Sequence, residues 1–176
     1  MNRALEFAST VRHDGRGGLA DDLATTAGLA AWAHLDAADE ELRLEVVRLR
    51  WAVRSLFAHA VGAGERMDSP HLVPLADAVR AVNDAAARAP RAARLEWGPP
   101  PLLRYADSAT EGDRLLADLA TAAIAFLAGE ERADLRACPA PRCIRYFVKA
   151  HPQQQWCKPS CGNRARVSKH YHRTRA

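Results

Sequence analysis

No cysteine precedes residue 138 in this 176-residue chain, and no Asp or Glu follows residue 137. The first absence rules out a disulfide framework or a thiolate metal site in the first three quarters of the chain. The second leaves the last segment with nothing to neutralise its own cations. A long apolar run is also lacking: the best stretch, "LLADLATAAIAFLAG", is interrupted by Asp118 and falls short of the roughly 18 residues a membrane helix needs. The amino terminus, "MNRALEFASTVRHDG", has neither a continuous apolar core nor a small-residue cleavage pattern. The expectation is a cytoplasmic protein without a membrane span.

Residues 138–176 hold nine cations (Arg142, Arg145, Lys149, Lys158, Arg164, Arg166, Lys169, Arg173 and Arg175), a net charge of +9. The other 16 basic and 21 acidic residues leave residues 1–137 at −5, so an overall +4 conceals a sharp division. Such asymmetry points to a basic module that meets a polyanion, carried by a body that does not. A solvated basic tail is the plain alternative.

All four cysteines share the basic segment, as C-x4-C (Cys138, Cys143), thirteen residues, then C-x3-C (Cys157, Cys161). Two close pairs separated by a short span bring four thiolates around one tetrahedral ion. Zinc suits the set because it is redox-inert and holds thiolate sulfur strongly, and one closed structural site folds the segment without catalysing anything. The competing readings are buried free cysteines, a disulfide pair or an iron–sulfur cluster. Between the pairs, "CPAPRC" reads as a tight knuckle, "IRYFVKA" as a strand, and "HPQQQW" as a turn from which the chain returns to complete a hairpin. From Asn163, placed to cap it, "NRARVSKHYHRTR" reads as a helix. Val167 and Tyr171 would pack it back on the hairpin, while Arg166, Lys169, His170 and Arg173 would share the opposite face. The order of knuckle, hairpin and ligand-bearing helix is treble-clef-like.

With Trp156 before the third ligand and "CGNRARV" (Cys161, Gly162, Asn163, Arg164) after it, the segment resembles the CGNR zinc finger. That finger usually closes an ABATE domain, and residues 3 to about 133 are similar to one, from "RALEFASTV" through "GLADDLATTAGLAAWA". Glu6-Phe7-Ala8-Ser9-Thr10 stands where Asp-Phe-Val-Asn-Thr is commoner. His151-Pro152-Gln153-Gln154-Gln155 stands where many relatives carry a Ser-Arg-Asn-type loop. The resemblance implies a stress-linked transcription regulator that binds DNA through its finger.

In the body, Asp36 can cap a helix over about 37–62, with Leu42, Val46, Leu49, Val53, Leu56 and Ala60 as its buried stripe. Ser69-Pro70 opens another helix whose regular part begins after Pro74. "RAARLEW" and "LLRYA", separated by Gly98-Pro99-Pro100-Pro101, read as a two-stranded excursion, and "TEGDRLLADLATAAIAFLAG" as a helix. "RHDGRGG" is read as a turn, since it lacks the Lys-Ser/Thr ending of a phosphate loop. No HExxH, Ser-His-Asp, paired-carboxylate or Cys-His arrangement is identifiable, so an enzyme is not expected.

The expected protein is mostly α with a small β component. Residues 1–133 form an α-rich regulatory domain that senses a signal or mediates assembly, including homo-oligomerisation. Residues 134–176 form the finger, with one structural Zn2+ on Cys138, Cys143, Cys157 and Cys161. Arg164, Arg166, Lys169, His170, Arg173 and Arg175 are its candidates for contact with duplex DNA, Arg being suited to guanine edges and Lys to phosphate. Arg164 has a second candidate role as a brace for the knuckle. The rival readings are a module docking an acidic protein and an RNA binder.

Overall fold

A computed structural model describes residues 2–174 and contains, among them, six helices and three two-stranded antiparallel hairpins. Each helix start follows from a local cap. Asn2 opens α1 (Arg3–Ala8), Thr25 opens α2 (Thr26–Ala33) and Thr110 opens α5 (Glu111–Ala128), each side-chain oxygen accepting from a first-turn N–H. The long helix α3 (Glu40–Ala60) is capped by Asp39, which accepts from Leu42 N at 2.8 Å, three residues later than the expected Asp36. Two acidic residues, Glu40 and Glu41, follow in its first turn and favour that start. After Pro70 comes only a 3-10 turn (Ser69–His71), and α4 (Leu75–Ala86) begins directly after Pro74.

Helices α3, α4 and α5 pack against one another, and α1 lies across α3 and α5. Their core holds Phe7, Leu29, Val46, Val53, Phe57, Leu119 and Phe126. The central stripe of α3 is buried as its spacing requires, whereas Ala60 at the end of the helix is exposed. No helix among the described residues is long and apolar enough to cross a membrane.

The first hairpin, β1 (Val11–His13) with β2 (Leu19–Asp21), turns through residues 14–18. There the Asp14 carboxylate accepts from the backbone N–H groups of Arg16, Gly17 and Gly18. The chain's own carboxylate fills the place a phosphate would take, and positive φ at Gly15 and Gly17 makes the turn possible. The second hairpin, β3 (Ala92–Glu96) with β4 (Leu102–Ala106), projects from the feet of α4 and α5.

The third hairpin corrects the sequence reading. Strand β6 (Tyr146–Val148) pairs with β5 (Leu135–Ala137), upstream of the first cysteine, and not with residues beyond the Gln-rich loop. The knuckle makes this possible, because closing Cys138 to Cys143 reverses the chain, and Cys138 N donates to Arg145 O at 2.9 Å. The apolar side of this hairpin is inserted into the helical body, where Leu135 and Tyr146 belong to the body's own core.

Candidate metal centre and nucleic-acid interface

Four sulfurs converge beyond the hairpin. Cys138, Cys143 and Cys161 are buried and Cys157 is half-buried, with all four Sγ atoms within 4.8 Å of one another. The measured separations are 3.8 Å for Cys143–Cys157, 3.5 Å for Cys157–Cys161 and 3.8 Å for Cys161–Cys143. Sulfurs on a tetrahedral zinc ion, each about 2.3 Å from the metal, lie about 3.8 Å apart, so the donor set fits such an ion by size as well as by chemistry. Hydrogen bonds from the Cys143 and Cys157 thiols hold Cys138 far below the ordinary thiol range, and the same contacts with Cys138 push those two up. A cluster that ionises one thiol at its neighbours' expense is completed by a divalent cation that stabilises all four as thiolates.

The surroundings hold this arrangement in place. Phe147 and Ala140 pack with the buried cysteines, and Trp156 lies against them. Gly162 is buried under the Trp156 indole: a Cβ there would stand 3.0 Å from the ring. The space that Gly162 leaves is therefore filled by this tryptophan and is not open to a phosphate. Gln154 staples the preceding loop, accepting from Ala150 N at 2.7 Å and donating to Trp156 O at 3.0 Å.

Helix α6 (Pro159–Thr174) starts four residues before Asn163. Proline at the first helical position accounts for the early start, and it places Cys161 inside the first turn. Asn163 is not a cap; its side-chain oxygen accepts from Arg166. Arg164 is half-buried and turns toward the cluster, its Nη2 donating to Cys161 Sγ at 3.3 Å. Arg166, Lys169, His170 and Arg173 are exposed and border one shallow concavity of 440 Å³. The spacing i, i+3, i+4, i+7 thus brings these four to one face. Arg175 lies outside the described residues. Val167 and Tyr171 are exposed, contrary to the expected packing against the hairpin, because the hairpin's apolar side is already taken by α1 and α3.

The joint between body and finger was not visible in the sequence reading. Arg54, wholly buried in α3, donates to Asp68, to Ala8 O and, at 2.6 Å, to Ile144 O in the knuckle. Arg66 donates to Cys143 O at 3.1 Å and Arg145 O at 3.4 Å. One step along α3, Arg50 grips both oxygens of Asp21 and the hydroxyl of Thr10. The signal was present: Arg50 and Arg54 fall four apart on the same face as Val46, Val53 and Phe57, where only a partnered cation can be tolerated.

The ABATE family model, described as "Putative stress-induced transcription regulator", matches residues 1–130. The chain belongs to the ABATE family. A CGNR zinc finger model matches residues 135–174, and no curated protein matches the chain. Within the ABATE body, the Glu6–Thr10 stretch supplies Ala8 O and the Thr10 hydroxyl to the two buried arginines, so the residues that carry the family likeness are those that anchor α3. In the CGNR finger, Cys161 is a sulfur donor, Gly162 admits the tryptophan, and Arg164 reaches the sulfur.

Proposed function

We propose that this protein is a zinc-dependent regulator of transcription. Its CGNR finger binds duplex DNA through the exposed face of α6, and its ABATE body receives a signal or mediates assembly. The observation that carries this reading is the convergence of Arg166, Lys169, His170 and Arg173 on one face of a helix whose first turn bears a metal ligand. One structural zinc ion on Cys138, Cys143, Cys157 and Cys161 would fix that turn, so the cations project from a rigid base and not from a loose tail. Arg166 is the candidate for a base edge, and Lys169 and Arg173 for phosphate. The role is one of binding, without catalysis.

The cleft lined by Leu5, Glu6, Trp32, Arg145, Phe147 and Cys157, of 540 Å³, is where a signal molecule would touch body and finger together. RNA recognition is less favoured, because Tyr146 and Phe147 are buried and Trp156 is occupied with Gly162, leaving Tyr171 as the exposed aromatic of the finger.

Titration of the zinc-loaded chain against duplex DNA, single-stranded DNA and RNA at several salt concentrations tests the reading. Tightest binding to duplex, falling steeply with salt, is expected; preference for RNA, or salt-insensitive capture of an acidic protein with no duplex binding, overturns it.

A further inference from the structure

The β3–β4 hairpin is an anomaly for a folded body. All five residues of β3 and the first four of β4 are exposed, and the principal contact of each strand is the other. Register divides its residues by face. Ala93 opposes Tyr105 and Leu95 opposes Leu103 on one side, and alternation carries the row on to Trp97 just past the strand end. Arg94 opposes Arg104 on the other side, where Glu96 accepts from Arg104 at 3.2 Å. Two arginines directly opposite repel and stay hydrated, so that side is the solvent face. The side carrying Leu95, Trp97, Leu103 and Tyr105 has no charge at all, yet these residues are 67%, 86%, 61% and 61% exposed. An isolated two-stranded hairpin is marginal in water, and a contiguous apolar face of this size marks an interaction site. Its direction is set at both feet by ion pairs to α5, Arg91 with Asp118 at 2.6 Å and Asp107 with Arg114 at 2.7 Å.

We propose that this face is the contact through which two copies of the chain form a dimer, each hairpin laying Leu95, Trp97, Leu103 and Tyr105 against the same row of its partner. The absence of charge on the row excludes a nucleic acid or a charged peptide as its occupant. A second copy presents the one surface on the page that is apolar, similar in extent and self-complementary, as a two-fold contact requires. The area is adequate: the four side chains leave about 550 Å² uncovered, so two copies bury about 1,100 Å², near the lower end for a specific interface. A dimer also sets two basic helices at a fixed separation, the arrangement that reads paired half-sites on duplex DNA.

The inference rests on the assembly part of the proposed function and is independent of DNA binding. A monomer that binds duplex defeats the dimer alone; a dimer that ignores duplex defeats the DNA reading alone. Sedimentation velocity on the zinc-loaded full chain over a range of micromolar concentrations is the test. A dimer is expected, dissociating at least roughly tenfold more readily in Trp97→Ser, a substitution at a position with almost no contacts to lose within one copy. Leu95→Asp with Leu103→Asp is expected to be monomeric with unchanged helical signal and zinc content, and Arg94→Ala with Arg104→Ala on the hydrated face to stay dimeric. A monomeric wild-type chain, or a dimer equally tight in Trp97→Ser, overturns the proposal.

Discussion

The Arg54 guanidinium lies over the ring of Tyr146, 5.1 Å from its centroid, joining the middle of the longest body helix to the first strand after the zinc knuckle. Arg66 covers the same ring at 4.7 Å, so Tyr146 sits against two cations in the core. Burial pulls the Arg54 pKa down, and the charge and hydrogen bond of Asp68 oppose that pull. The guanidinium remains charged, because an arginine begins from so high a value. Finger and body therefore share a buried charge network, which makes the position of the knuckle sensitive to the state of the body.

Removing the counter-charge tests this joint. Asp68→Ala leaves Arg54 buried and uncompensated and is expected to cost about 3–5 kcal/mol in urea unfolding. Asp77→Ala, which breaks the exposed pair with Arg80, is expected to leave the midpoint unchanged. Equal effects of the two substitutions would contradict the account.

Acid should attack the neighbouring clamp. Burial alone would raise the Asp21 carboxyl, but two hydrogen bonds and the charge of Arg50 outweigh it and hold the group below its usual value. A carboxyl depressed in the folded state contributes stability that is complete above its unfolded pKa, about 3.9, and is lost as pH falls through the lower folded value. Asp21→Asn is thus expected to lower the melting temperature at neutral pH, with the gap to wild type closing below about pH 4. A gap that stays constant from pH 7 to pH 3 would show that the clamp carries no charge-dependent stability.

How much of this was legible depends on whether the cause was local. The apolar stripe of α3, the Thr110 start of α5, the Pro-rich turn between β3 and β4 and the four cysteines are short-range patterns, and their structures follow them. Errors arose where two local signals competed: Asp36 and Asp39 are both capping residues, and only the acidic turn after Asp39 decides between them. Asn163 lost to Pro159 in the same way. The pairing of β6 with β5 was out of reach because it depends on the knuckle reversing the chain. Tyr171 has helical spacing from Val167, but spacing cannot reveal that the surface meant to receive it is already covered.

Metal content and chelation test the finger. One zinc per chain is expected by elemental analysis, lost in Cys157→Ser. Chelation is expected to abolish the order of α6, whose 16 residues are about a fifth of those in helices, while α1–α5 keep their own core. Loss of most of the helical circular dichroism would show that body and finger fold only together.

Arg164 and Arg166 should separate by assay. Arg164→Ala, which removes the donor to Cys161 Sγ, is expected to weaken zinc retention roughly 10- to 100-fold in a competition with a chelator, with partial rescue by Arg164→Lys. Arg166→Ala is expected to leave zinc retention intact and to weaken duplex binding by about 1–3 kcal/mol, with relaxed preference at one base position. Identical zinc affinity in the two variants would remove the bracing role.

The central claim is that the face of α6 binds duplex DNA while the metal holds its first turn. Duplex affinity as a function of salt, measured for wild type and for the triple variant Arg166→Ala, Lys169→Ala, Arg173→Ala with zinc content verified, tests it most directly. The account predicts that the variant keeps its zinc, binds duplex at least about tenfold more weakly at low salt, and shows a salt slope flatter by about three units. Unchanged affinity and slope in a zinc-loaded triple variant would contradict it.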